Sequence, residues 1–128
     1  MYEGGTMERI IGIGVDQIEI QRILDACEKE GFVKSLYSEE ECLLLAKRKS
    51  IAATNFAGKE AVAKALGSGF IGIAPYEIMI LREESGAPYV KLSGRAEELA
   101  KKLGITKIHI SLSDSKTMAV AYAVAVGE

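Results

Sequence analysis

The run Lys59-Glu60-Ala61-Val62-Ala63-Lys64-Ala65-Leu66-Gly67-Ser68-Gly69 gathers the residue types that handle phosphate and metal. On a helix, positions i and i+4 share a face, so Glu60 and Lys64 project together. Gly67 supplies a left-handed helix stop, and Ser68 falls in the turn beyond it. A carboxylate able to hold a metal, beside an ammonium able to hold a phosphate, suggests phosphoryl-transfer chemistry. On spacing alone the commoner reading of such a pair is a solvent-facing ion pair on an ordinary helix. Ser68, between Gly67 and Gly69, fits either a phosphate-binding turn of amides and hydroxyl or a plain helix terminator.

A second carboxylate lies near the N-terminus, in Ile10-Ile11-Gly12-Ile13-Gly14-Val15-Asp16-Gln17-Ile18-Glu19-Ile20. As a strand, Ile11, Ile13 and Val15 form a buryable β-branched face. Gly12, Gly14 and Asp16 form the other, bare backbone leading to an acid. Alternate glycines in a strand mark close approach by another backbone or a ligand, although a bulge at Gly14 with Asp16 in a turn fits the same residues. The dinucleotide fingerprint is a poor match, because Gln17 stands where its third glycine belongs.

The elements that must position these residues read as a compact α+β order. A strand ending near Asp16 leads into a helix through Lys29. Ser38 and Glu41 form a capping-box signature for a helix to about Lys49. A further helix from about Ile51 to Leu66 carries Glu60. Tyr76 to Glu83 and Pro88 to Leu92 read as a hairpin around Glu84-Ser85-Gly86-Ala87. Arg95 to Leu103 is helical, and Lys107 to Leu112 and Met118 to Val126 are strands. In the last strand, Met118, Val120, Tyr122, Val124 and Val126 alternate with a face of alanines, suited to close packing on another layer. His109, the only histidine, shares the more polar face of its strand with Ser111.

Composition bounds the function classes. With 128 residues and 48% hydrophobic content the chain is globular in type and long enough to bury a core. A net charge of -2 argues against a general nucleic-acid binder. No apolar run approaches a membrane span. No secretory signal is legible, and residues 1–6, ahead of Met7, read as a leader or cloning remnant. Cys27 and Cys42 lack metal-type spacing and read as reduced thiols of a cytoplasmic protein. Lys47-Arg48-Lys49 is either a helix C-terminus complementing its dipole or a contact for a phosphate or an acidic partner.

Three motifs in order give the chain a family resemblance. Gly12 to Asp16 with Ile18-Glu19 and Arg22, then Lys59 to Gly69, then His109-Ile110-Ser111-Leu112 before Ala119-Val120-Ala121, together resemble the holo-acyl-carrier-protein synthase family of phosphopantetheinyl transferases. The resemblance implies one transferase domain over residues 7–128, with an antiparallel sheet packed against helices in the 4'-phosphopantetheinyl transferase-like fold. It implies transfer of 4'-phosphopantetheine from coenzyme A to a serine of an apo acyl carrier protein in fatty acid biosynthesis, releasing 3',5'-ADP. By position it implies Asp16 and Glu60 as Mg²⁺ ligands. Lys64, Asp16 and Glu60 become the catalytic set, with Glu60 as a candidate acceptor of the serine proton. Lys64, Gly67, Ser68, His109 and Ser111 become coenzyme A contacts, and Arg22 a carrier contact. It also implies a homotrimer with sites between neighbouring subunits.

Three departures from the family accompany these matches. Asn55 stands where many members carry arginine, and Asp114 where several carry histidine. The first helix, with Glu19, Asp25, Glu28 and Glu30 against Arg22 and Lys29, is acidic where the family grips an acidic carrier. These departures keep a second reading open, a coenzyme A- or carrier-binding paralogue with little transferase activity.

Overall fold

The computed structural model describes residues 7–128, so the expectation for residues 1–6 lies outside the described residues. Strand β1 (Arg9–Glu19) is followed by helices α1 (Ile20–Cys27), α2 (Phe32–Leu36), α3 (Glu39–Lys47) and α4 (Ile51–Ala65). A short 3₁₀ turn (Pro75–Glu77) enters the hairpin β2 (Ile78–Arg82) and β3 (Pro88–Leu92). Helix α5 (Gly94–Lys102) and the hairpin β4 (Ile105–Asp114) and β5 (Met118–Gly127) complete the order. β1, β5 and β4 form an antiparallel sheet in that order, and β2–β3 form a second, two-stranded one. The α+β arrangement of antiparallel sheet and helices is the one expected from the motifs.

Helix α4 lies across the inner face of the larger sheet, and small residues bring it close. Ala121, Ala123 and Ala125 of β5 are fully buried there with Ala57, Ala61 and Val62 of α4, and Ala119 is fully buried beside Ala52 and Ala53. Gly12 and Gly14 of β1 complete the flat face. A Cβ on Gly14 would collide with the Ala61 carbonyl, and one on Gly12 with the Ala65 carbonyl. The alternate glycines therefore admit a backbone, that of α4. A second apolar cluster, built on Ile23, Tyr37, Ala52 and Ala53, seats α1 to α3 against the start of α4. The Tyr37 hydroxyl donates to the Ala52 carbonyl at 2.8 Å and ties the two segments.

Several expected features are corrected. β1 runs past Asp16 to Glu19, so Asp16 is a strand residue rather than a turn or cap. Its Ile13 and Val15 are not buried: they are 65% and 44% exposed, next to Tyr122 at 57%. Alternation sends the β-branched side outward, because the glycine side takes the helix. α1 stops at Cys27, so Glu28 and Glu30 lie beyond it and Glu19 precedes it. The helical turn α2 went unrecognised, five residues started by Gly31 at φ +84°. The Ser38–Glu41 box is present: the Ser38 hydroxyl accepts from the Glu41 amide at 3.2 Å, and the Glu41 carboxylate from the Ser38 amide at 3.0 Å.

Ser38→Ala removes the hydroxyl half of that box. It is expected to cost about 1 kcal/mol and lower Tm by roughly 3–5 °C, read by calorimetry; an unchanged Tm contradicts the cap's contribution.

Candidate active site

The helix–strand approach brings the two sequence-predicted carboxylates together. Ala61 and Ala65 are the α4 residues against β1, and Glu60 and Lys64 each precede one of them, one turn apart. Asp16, on the glycine face of β1, sits at the same level. The Lys64 ammonium donates to the Val15 carbonyl at 2.9 Å and reaches Asp16 Oδ1 at 3.4 Å. Asp16 retains 18% of its side-chain exposure, and Lys64 52%. Lys64 is thus anchored at one end of the site while its head remains accessible.

Glu60 and Asp16 open on one cleft of about 460 Å³, lined also by Gln17, Ile18, Arg22, Ile23 and Phe56 among others. Burial raises the Glu60 carboxyl above the ordinary carboxylate range, the neighbouring Asp16 charge raises it further, and Lys64 offsets part of the rise. Burial and repulsion thus disfavour two charged carboxylates side by side, an arrangement that a shared cation would relieve. Arg22, the expected carrier contact, lies on the wall of this cleft, exposed on α1. Phe32 and Phe56 also line it, and neither was singled out from the sequence. Phe56 had a signal: it lies four residues before Glu60 on one helix face.

The turn after α4 is a helix stop by its hydrogen bonds. Gly67 adopts φ +81° and its amide donates to the Lys64 carbonyl at 3.0 Å. The Gly69 amide donates to the Ala63 carbonyl at 3.2 Å, and the Ser68 hydroxyl to the Gly69 carbonyl at 2.8 Å. Two amides of the supposed phosphate turn are therefore engaged by the helix. His109 and Ser111 are exposed on the outer face of the sheet, paired across β4–β5 with Val124 and Tyr122. They share a face with Ile13 and Val15, opposite the one that carries Asp16 and α4. Within one chain they do not join the cleft.

Asn55 and the basic run resolve differently. Asn55 is fully buried, donating to Glu41 at 2.9 Å and to the Ile80 carbonyl at 2.8 Å, and accepting from Arg82 at 2.9 Å. Its departure from arginine therefore falls in the core, not on the cleft wall. Lys47, Arg48 and Lys49 are exposed at the end of α3. Lys49 borders a separate cavity of about 430 Å³ between α1 and α3. Asp114 is exposed at the end of β4.

Metal-free Glu60→Gln is expected to melt above the parent at neutral pH. A raised carboxyl contributes its full stability only below its unfolded value, about 4.3, and loses it as pH rises through the folded value. The gap should close on acidification into that range. Melting curves across pH check this, and an equal gap at all pH values would contradict it.

Known proteins are similar to this chain in sequence and in fold. The model of the 4'-phosphopantetheinyl transferase superfamily matches residues 12–125. The holo-[acyl-carrier-protein] synthase of Lachnoclostridium phytofermentans is 48% identical over 115 residues, 90% of this chain and 94% of that protein. Among solved structures, the acyl carrier protein synthase of Plasmodium yoelii with ADP bound is similar with a TM-score of 0.88 at 33% identity, covering 96% of this chain and 99% of that one. The Helicobacter pylori holo-[acyl-carrier-protein] synthase in complex with coenzyme A has a TM-score of 0.79 at 30% identity, covering 88% and 98%. With Asp16 and Glu60 lining one cleft and Lys64 bonded to Asp16 at its edge, the chain belongs to the 4'-phosphopantetheinyl transferase superfamily, with the holo-[acyl-carrier-protein] synthases as its relatives.

Proposed function

We propose that residues 7–128 form one transferase domain that moves 4'-phosphopantetheine from coenzyme A to a serine of an apo acyl carrier protein. The observation that carries this reading is the Asp16–Lys64 contact at 3.4 Å with Glu60 in the same cleft. The serine oxygen attacks the pantetheine-side phosphorus, the bond to the bridging oxygen breaks, and 3',5'-ADP departs. Glu60, its carboxyl raised by burial and by Asp16, takes the serine proton directly or through a water. Lys64 balances the charge that grows on the departing phosphate.

The donor set fits Mg²⁺. Asp16 and Glu60 offer hard oxygens, and a cation held by both would relieve the repulsion between them. Magnesium commonly takes one or two carboxylates and completes its shell with water and phosphate oxygens. Among the described residues no cluster of three or more metal-ligating side chains occurs, so such an ion would lean on the pyrophosphate itself. When bound, it supplies charge neutralisation at the pyrophosphate. Proton transfer and metal binding compete for Glu60, and a bridging water relieves that conflict.

The remaining assignments follow the same reading. Gly67 and Ser68 border the phosphates at the end of α4, and Arg22 meets the carrier beside the cleft. The exposed apolar face of Ile13, Val15 and Tyr122 supports a homotrimer built on the outer sheet surface. There a neighbouring copy would bring its His109 and Ser111 to the coenzyme A bound in this chain's cleft. Free Cys27 and Cys42 support a cytoplasmic setting, and fatty acid biosynthesis is the pathway such a carrier serves. No helix among the described residues is long and apolar enough to cross a membrane. The paralogue reading loses the support of Asn55, whose side chain belongs to the core.

The test is a mass shift of an apo acyl carrier protein incubated with coenzyme A and Mg²⁺. The expected result is a gain of one phosphopantetheine, suppressed by EDTA. Asp16→Asn and Glu60→Gln should each lower transfer by at least about 100-fold while remaining folded. No gain across several carriers, despite coenzyme A binding, would overturn the transferase in favour of a binding protein.

A further inference from the structure

Beside Glu60, about 100° around α4, a buried ionic cluster holds the helix. Lys59 is 1% exposed and Glu41 fully buried. The Lys59 ammonium donates to Glu41 Oε1, to the Pro75 carbonyl at 3.1 Å and to the Ile78 carbonyl at 2.6 Å. All three of its donors are used. Glu41 Oε1 also accepts from the Ser38 amide at 3.0 Å. Its Oε2 accepts from Asn55 Nδ2 at 2.9 Å and the Ile80 amide at 3.3 Å. Among the described residues no buried side-chain nitrogen or oxygen lacks a partner. The cluster spans α3, α4, the 3₁₀ turn and β2, yet touches neither the cleft nor its opening.

Such a cluster is a poor way to gain stability. Two buried ions replaced by apolar side chains often leave a protein as stable or more so. Its geometry points to another use. Lys59 and Glu60 are successive, so their side chains leave α4 about 100° apart. The glycine–alanine contact sets how near α4 comes to β1, and the helix's roll about its own axis is left to directional bonds: the half-exposed one from Lys64 to Val15 and Asp16, and the buried ones from Lys59. Lys59, held by three oxygens from separate elements, resists that roll. Side chains end about 5–6 Å from a helix axis, so a roll of about 10° would carry the Glu60 carboxylate about 1 Å. A misplacement of that size can cost about 100-fold in rate.

We propose that Lys59, through its bonds to Glu41 and to the Pro75 and Ile78 carbonyls, is a positioning residue that fixes the roll of α4 and hence Glu60 against Asp16. The proposal rests on the transferase reading above. Asn55 and Arg82 belong to the same device: Asn55 bridges Glu41 to the Arg82 guanidinium, which closes the cluster toward the surface.

The experiment compares the parent with Lys59→Met and with Lys59→Met/Glu41→Gln. The double variant removes both charges, so no unpaired ion stays buried if the single variant fails to fold. Transfer to an apo carrier is measured below the melting transition of each variant, with kcat and the KM for coenzyme A determined separately. Folded double variant with kcat lowered about 10–100-fold and KM changed less than about twofold supports positioning. Parental kcat in the folded double variant overturns it, leaving the cluster a purely structural role. A raised KM with kcat retained also overturns it, by placing the effect on coenzyme A binding. Should neither variant fold, Asn55→Leu, which takes away one donor to Glu41 and the Arg82 bridge, must show the same kcat-only loss or the proposal fails. A parent without transfer activity would instead overturn the transferase reading, and the positioning role with it.

Discussion

Everything in this molecule that resembles an active site depends on how close one helix comes to one strand. Side chains of ordinary size on β1 would hold α4 away from the sheet. Gly12 and Gly14 remove them, and the Ala61 and Ala65 carbonyls fill the space a Cβ would need. The same small-residue rule continues across β5, whose four inward alanines are fully buried. Asp16 and the Glu60–Lys64 pair come from segments more than 40 positions apart, and only this approach lets Lys64 reach both Val15 and Asp16. The packing defect of a glycine strand is thus the condition for the chemistry.

Charge is divided between the two sides of α4. On the core side, Lys59 and Glu41 neutralise each other, and among the described residues every buried side-chain nitrogen and oxygen has a partner. On the cleft side, two acids lie side by side near Lys64 and the exposed Arg22, and burial with the Asp16 charge pushes the Glu60 carboxyl up. A fully matched cluster rigidifies; an unmatched one recruits a cation or takes a proton. The adjacent residues Lys59 and Glu60 therefore serve opposite ends, although both are charged residues of one helix.

Legibility in the sequence followed from how local each signal was. The capping box at Ser38, the α4 stop at Gly67 and both hairpins are set by nearby residues, and they were readable. Asp16, Glu60 and Lys64 were legible as a set through the family motifs, and the glycine spacing signalled a close approach without saying whether by a backbone or a ligand. The sidedness of β1 was misjudged because Ile13 and Val15 look like core by composition, whereas two glycines beside a helix claim the inside. Asn55 stood out as a departure from the family's arginine, since a one-dimensional pattern does not tell which way position 55 points on α4. Lys59 passed as a motif letter; a buried lysine is visible only once α3, the 3₁₀ turn and β2 close around it. His109 and Ser111 were read onto the polar face of β4 and they lie there, but that face is opposite the cleft, a relation set by the sheet and not by spacing.

The central claim is that the glycine-mediated approach of α4 to β1 builds the site. Gly14→Ala tests it most directly, because a Cβ there meets the Ala61 carbonyl and must push the helix outward. Transfer to an apo carrier, measured on protein whose circular dichroism confirms folding, should fall by at least about 100-fold. Parental transfer by a folded Gly14→Ala protein would contradict the account and leave the close approach as packing alone.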